Sequence, residues 1–453
     1  MSKRAKAKLW IACTSMGTAA LAVACYLYCR PKIRLATLQQ LRQEAPPELL
    51  LSPPADPAAS VRYARLVECA KNVHVAPEGT SETDLGKLVQ RAHANQPYLQ
   101  EADHLLSEGP IQGHLKGDLA RPPSPFRLLS RALAEKATIA GLGNDPKGCA
   151  SAIHTNLALA HRLAKSGGSL TDYLIMVSVD KLGISSLTSC AQNGWLNRQD
   201  LKEMLREVPV ETPGDPPLAS AYAHDFQSLL VKLASTPMTV QDELYGGANK
   251  TTYWEGSFDA LATAQLAGKV AGQQYQNALR EWPDNDRSDR DFLASLSRGI
   301  PTDPAADGKP SSWLSEMVYH LKMNLIPNSV GRSYATTWLF NDLARESSVY
   351  KACSHELART VLAARLYSAD HAGALPVSLD QLIKKGYLKQ LPVDWFVCRP
   401  LRYNRRKGIV YSVGLDQQDD GGKFDRQGQT LQPDFGYFLT HPGRLDALSA
   451  LVS

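Results

Sequence analysis

The sequence contains no C-x-x-C pair, no H-E-x-x-H, no G-x-S-x-G and no Gly-Lys-Ser/Thr phosphate loop. The first two absences remove the common zinc sites. The other two remove the hydrolase nucleophile elbow and the P-loop, both recognisable from spacing. Cysteine is sparse. Of eight, Cys13, Cys25 and Cys29 lie near the N-terminus, leaving the odd and widely spaced set Cys69, Cys149, Cys190, Cys353 and Cys398. That set is no disulfide framework and reads as buried thiols. Acid is missing from one place. Residues 1–34 hold seven Lys or Arg and no Asp or Glu, so the formal +5 of the 453-residue chain leaves −2 for all that follows. A body of that charge lacks the dense cationic face that phosphate binding needs, and no nucleic-acid partner is expected. With 43% hydrophobic and 21% charged residues, the chain is neither disordered nor a polytopic membrane protein.

Between Lys8 and Arg30 run the 21 uncharged residues Leu9–Cys29. As a helix they span about 31 Å, one hydrocarbon thickness. Trp10, Tyr26 and Tyr28 stand at its ends, where aromatic rings favour the headgroup level. A cleaved signal peptide is the rival reading. No clean A-x-A site precedes a polar segment, however, and Leu21-Ala-Val-Ala-Cys25 departs from a lipobox by one position. Residues 1–34 are therefore expected to be an uncleaved transmembrane anchor with basic flanks. Its four preceding Lys/Arg against three following favour a single-pass membrane protein with an extracytoplasmic body. The stretch 35–57, dense in proline, is expected to be a semi-extended stalk.

From about Ala58 the sequence is rich in Ala and Leu with a period near 3.6. Leu128, Leu129, Ala132, Leu133 and Ile139 form one stripe, and Ile153, Leu157, Ala160 and Leu163 the next. Helices are predicted over 170–190, 198–208, 216–235, 257–281, 286–297, 313–325 and 333–370. The fold class expected is mainly α, with residues 58–350 a helical array broken near 299–312. Paired helices around Gly143-Asn-Asp-Pro146 resemble tetratricopeptide pairs, although no 34-residue period supports them. Gly141-Leu-Gly-Asn-Asp-Pro-Lys-Gly148 lies between two helical stripes and reads as an interhelical turn rather than a phosphate loop. His355-Glu-Leu-Ala-Arg359 falls one histidine short of a zinc motif, so His355 is expected on a helix surface. His154 and His161 lie about 10 Å apart along one helix face, too far to share a metal alone.

After Gly373 the pattern changes, and Gly408-Ile-Val-Tyr-Ser-Val-Gly414 reads as a strand. It runs into Asp416-Gln-Gln-Asp419-Asp420-Gly-Gly422 and Asp425, four carboxylates in a glycine loop, a donor set suited to a hard cation. It is not an EF-hand, because position twelve is Gln427. A solvated acidic turn fits these residues equally well.

Several short segments recur here in a familiar order: the helix Glu356–Tyr367, Ser378-Leu-Asp-Gln-Leu382, Tyr387-Leu388, Leu391-Pro392-Val-Asp394, Pro400-Leu-Arg-Tyr403, Tyr411-Ser-Val-Gly414 and Asp419-Asp-Gly-Gly422. Together they make residues 355–439 resemble the C-terminal half of the type II secretion major pseudopilins, with Asp434-Phe435 matching that family's late Asp-Ile. The whole chain is similar to bacterial membrane-anchored proteins that join a helical region to such an ending. The resemblance implies a small α+β module over 351–453 and a structural calcium held first by Asp416 and Asp434, with Asp419, Asp420 and Asp425 as substitutes. The chain departs from the family in two respects. Its loop between Gly422 and Asp434 is longer, and no prepilin-peptidase site precedes the N-terminal span, so a polymerising pilin is not expected. The function expected is binding or scaffolding at the cell envelope, anchored in the lipid bilayer by residues 9–29, with a protein partner on the helical body. The alternative is a membrane-tethered hydrolase whose site is assembled from residues distant in sequence.

Overall fold

The structure, a computed structural model, describes residues 33–34, 36–50, 56–76, 84–114, 124–210, 214–234, 258–280, 327–328, 332, 342–423 and 434–439. The expected membrane span, the break near 299–312, the helices predicted over 286–297 and 313–325, and Asp425 lie outside these residues. Among the described residues the fold is mainly helical with a small sheet portion. The chain divides into two units, one of Met1–Leu51, Asp225–Gln274 and Ser288–Phe340, the other of Ser52–His224, Tyr275–Arg287 and Asn341–Ser453.

Helix starts follow a repeated device, a short polar residue whose side chain accepts a backbone N–H of the first turn, often with proline next. Asp56 opens α2 (Pro57–Asn72), Ser124 opens α4 (Pro125–Leu142) and Asp145 opens α5 (Pro146–Lys165). Capping boxes, Ser169 with Asp172 and Asn197 with Asp200, start α6 (Leu170–Gln192) and α7 (Arg198–Glu207). Asp84 caps α3 (Leu85–Glu108), and Asp215 accepts from Leu218 N–H at the start of α8 (Pro216–Ala234). Helix α9 covers Ala260–Ala278.

The first unit shows a difference from the extended stalk expected of 35–57. Thr37 and Gln40 form a capping box on α1 (Leu38–Gln43), and Pro47–Leu50 makes a 3-10 turn. Leu41 and Leu49 are wholly buried, and Gln227 Nε2 donates to the Leu49 carbonyl at 2.9 Å. Two buried leucines give this segment a reason to fold that proline density alone does not reveal. Nearby, β1 (Ile33–Arg34) pairs in parallel with β2 (Phe258–Asp259).

In the second unit α4, α5 and α6 pack on one another, and α10 (Asp342–Asp370) lies against α6 and α7. The C-terminal residues add α11 (Leu379–Lys384), a hairpin of β3 (Val393–Asp394) and β4 (Arg399–Pro400), and a three-stranded antiparallel sheet. That sheet has the order β5 (Arg402–Asn404), β6 (Ile409–Ser412), β7 (Phe435–Phe438). One apolar core joins these parts. It holds Ala137 and Ile153 of α4 and α5, Leu187 of α6, Met204 of α7, Leu357 and Val361 of α10, Val410 of β6, and Leu439. The expected boundary at 350/351 falls inside α10, between Val349 and Cys353 of this same core. Fully burying each such Leu or Val contributes about 1.5–3 kcal/mol, which couples the C-terminal strands to the helices.

Candidate functional site

The acidic loop leaves β6 over a rigid base. Asp394 of β3 is fully buried; its Oδ1 accepts from Ser412 Oγ at 2.8 Å and Phe396 N at 3.2 Å, and its Oδ2 from Val413 N at 2.9 Å. Burial pushes its carboxyl up, against the pull of those donors. On the far side, Phe435 of β7 is held in an aromatic trio, 5.2 Å from Tyr350 and 6.0 Å from Phe396 between ring centroids. These contacts fix both ends of the loop, the strand end at Ser412 and the strand start beside Asp434.

Between them the backbone turns through left-handed residues: Gly414 (φ 70°), Gln417 (60°), Gly421 (75°) and Gly422 (69°). Gly422 combines this left-handed backbone with tight surroundings, since a Cβ there would lie 2.5 Å from Ile409 Cδ1 and 3.1 Å from the Tyr411 ring. Its N–H donates to Asp434 Oδ2 at 2.8 Å. Asp434 is fully buried; the Asp420 N–H also bonds to its carboxyl, and its Oδ1 makes no well-formed hydrogen bond among the described residues. Burial, with the charges of Asp419 and Asp420 nearby, pushes this carboxyl above the ordinary range. A buried carboxylate with two further carboxylates close enough to raise it, and one oxygen without a well-formed hydrogen bond among the described residues, has the donor chemistry of a hard-cation site.

Asp419 is already partnered. Its Oδ1 accepts from Tyr411 Oη at 3.0 Å and Gly421 N at 2.9 Å, and its Oδ2 pairs with Arg402 Nε at 3.2 Å. Slight burial pushes its carboxyl up, but these three donors outweigh that and hold it below the usual range. Burial and the Asp419 carboxylate together push Tyr411 up to about 12. Asp416 is exposed and accepts from Gln418 N at 3.1 Å in an Asx-type turn. The structure thus brings Asp419, Asp420 and Asp434 to one neighbourhood. Among the described residues, though, no three His, Cys, Asp or Glu side chains converge closely enough to hold a metal ion.

Three features escaped the sequence reading. His355 is not on a surface but 4% exposed, a correction with a clear cause: its Nε2 lies 2.8 Å from Asp180 Oδ2 on α6, a partner 175 residues away. Neighbouring Arg359 donates to the carbonyls of Leu205 and Val208 at 3.0 and 2.6 Å, closing the C-terminus of α7. Finally, Asp215 is a buried anion held by Tyr173, Ser348 and Lys351. Only polar residues inside apolar periodicity could have signalled these, as Asp180 does within α6. His154 pairs with Glu207 of α7 at 2.5 Å, and burial, then Lys165 and Arg162, lower the pKa of His161, so the two histidines serve separate surroundings. Cys69, Cys149, Cys190 and Cys353 are buried free thiols.

Helix α6 is, by length and composition, the one helix among the described residues able to cross a membrane, but much of it is buried inside the second unit. Leu187 and Cys190 pack in the main core, so its apolarity is accounted for by packing. Compared with protein-family models, with curated proteins and with solved structures, the chain matches none.

Proposed function

We propose that this chain is a single-pass membrane protein of the cell envelope, anchored by residues 9–29, with a binding or scaffolding body and a pseudopilin-like C-terminal module that calcium stabilises. Extracytoplasmic calcium fills even weak sites, which suits the N-in orientation that the flanking charges favour. The observation that carries the calcium reading is Asp434, wholly buried, with one carboxylate oxygen lacking a well-formed hydrogen bond among the described residues and with the charges of Asp419 and Asp420 nearby. Asp434, Asp419 and Asp420 would supply the carboxylates, with Asp416 and Asp425 as further donors from the same loop. The exposed faces of the helices, paired in tetratricopeptide-like fashion, would present the protein partner's surface.

The full chain, rather than a C-terminal fragment, is the material for the test, because the strands share their core with α4–α7. Calcium at about 100 times its Kd raises folding stability by about 2.7 kcal/mol. A melting temperature that does not move with millimolar calcium sinks the metal reading. Reaction of cysteines introduced near the C-terminus with a membrane-impermeant thiol reagent tests orientation, and labelling only after lysis reverses it. The hydrolase reading draws on one observation, the buried His355–Asp180 contact, an imidazole oriented by a carboxylate. Absence of turnover on ester and peptide panels by the wild-type chain removes it.

A further inference from the structure

The acidic loop already carries two positive charges, both supplied by the hairpin beside it. Arg402 on β5 pairs with Asp419 Oδ2 at 3.2 Å, and Lys407, in the turn between β5 and β6, donates Nζ to the Gly421 carbonyl at 2.7 Å. These are the two oxygen types, a carboxylate and a backbone carbonyl, from which a calcium shell of six to eight ligands is assembled. Asp434, fully buried, is touched by neither hairpin cation among the described residues, and its Oδ1 makes no well-formed hydrogen bond there.

We propose that Arg402 and Lys407 are internal competitors for this site, so that calcium enters only by displacing the guanidinium from Asp419 and the ammonium from the Gly421 carbonyl. The inference rests on the calcium reading above and adds what sets its affinity. In the metal-free chain the two side chains neutralise the loop and hold it against the sheet. With calcium bound, the divalent charge takes their place, and both side chains are freed to join Arg405 and Arg406, which are exposed on the same turn. The competition explains why Asp419 and Asp420 lie near Asp434 while, among the described residues, no three acids close into a cage. Asp419 is turned toward Arg402, and its other oxygen is shared by Tyr411 and Gly421. Glycines at 421 and 422, both left-handed, let the backbone reach Lys407 and Asp434 within two residues.

The test is isothermal titration calorimetry of the full chain with calcium chloride at low ionic strength, comparing wild type with Arg402→Gln, Lys407→Gln, the double variant and Arg406→Gln. A partly exposed ion pair contributes at most about 1 kcal/mol, so Arg402→Gln should tighten the Kd by up to about fivefold, Lys407→Gln, which frees only a carbonyl, by about twofold, and the pair by about tenfold. Arg406→Gln removes one like charge from the same turn and should tighten it by less than twofold. If the wild type binds calcium and the double variant binds it within twofold as well, the competition is overturned and the calcium reading stands. An equal gain in all three single variants also overturns it, since the effect is then general charge and not displacement. Binding seen only in the double variant supports the proposal. No binding by any of them at millimolar calcium overturns the calcium reading itself, and the competition with it.

Discussion

Replacing Lys351 by methionine tests what one largely buried cation contributes to the second unit. In the folded chain the Asp215 side chain is 4% exposed, and its Oδ2 accepts from Tyr173 Oη at 2.7 Å, Ser348 Oγ at 2.7 Å and Lys351 Nζ at 2.8 Å. Burial pushes this carboxyl up, but Lys351, aided by the Ser348 and Tyr173 hydroxyls, outweighs it and holds the carboxyl below the usual aspartate range. Methionine preserves the apolar stem and removes the charge, so a buried carboxylate is left with neutral donors only. Breaking a buried pair by deleting one partner costs about 3–5 kcal/mol; two surviving hydroxyl bonds place the expected loss near the lower end, about 3 kcal/mol at neutral pH. Proton linkage supplies a second signature. The depressed carboxyl of the wild type contributes stability that is present above the ordinary aspartate pKa and is lost as pH falls through its lower folded value. In Lys351→Met the folded carboxyl shifts the other way, so the variant recovers relative to wild type as the medium is acidified. Urea unfolding followed by far-UV circular dichroism at about pH 7.5 and pH 4.5 reads both effects. A deficit under about 1 kcal/mol at the higher pH, or the same deficit at both, would refute the reasoning.

Three further outcomes are expected. Asp394→Ala strands Ser412 Oγ and the N–H groups of Phe396 and Val413 inside the fold; at about 1–3 kcal/mol for each buried orphan, not fully additive, the same unfolding assay should show a loss of about 3–5 kcal/mol. Gly141→Ala puts a methyl 2.2 Å from Trp195 Cδ2, and the resulting overpacking, about 1–3 kcal/mol, should exceed the helix gain and shift Trp195 emission; unchanged stability would show that the ring moves aside freely. Ala372 is left-handed at φ 50°, so Ala372→Gly should raise the melting temperature by an amount equivalent to about 0.5–1 kcal/mol, and a fall would contradict that conformation.

Much of the helical layout was legible because its signals are local. Prolines before residue 126, the Gly167-Gly168 break and Asn193-Gly194 bound α4, α5 and α6; of the two stripes Leu129, Ala132, Leu133, Ile153 and Ala160 are buried, while Leu128, Ile139, Leu157 and Leu163 are half-buried. The turn read from Gly141–Gly148 joins α4 to α5, and its first glycine admits the Trp195 ring. What stayed hidden depends on partners far along the chain. His355 is buried because Asp180 meets it, and Arg359 closes a helix 150 residues earlier in the sequence. The acidic loop was legible as a donor set; its pairing with Arg402 and Lys407 was not, since exposed basic residues in a hairpin carry no local mark of what they touch. The 36–50 segment shows the converse. Its prolines are plain in the sequence, but the burial of Leu41 and Leu49 is set by tertiary packing, which overrides local propensity.

The core that joins Ala137 and Ile153 to Val410 and Leu439 has a consequence for the order of events during synthesis. A chain elongating at about 5–20 residues per second exposes the apolar faces of α4–α7 for on the order of ten seconds or longer before β6, β7 and Leu439 emerge to cover them. Two of the three segments of the other unit, Asp225–Gln274 and Ser288–Phe340, are made within that interval, because they interrupt the second unit in the sequence. A nascent chain of this design needs protection from aggregation until β7 is released. Truncation a few residues before Phe435 would therefore be felt by helices that were finished long before.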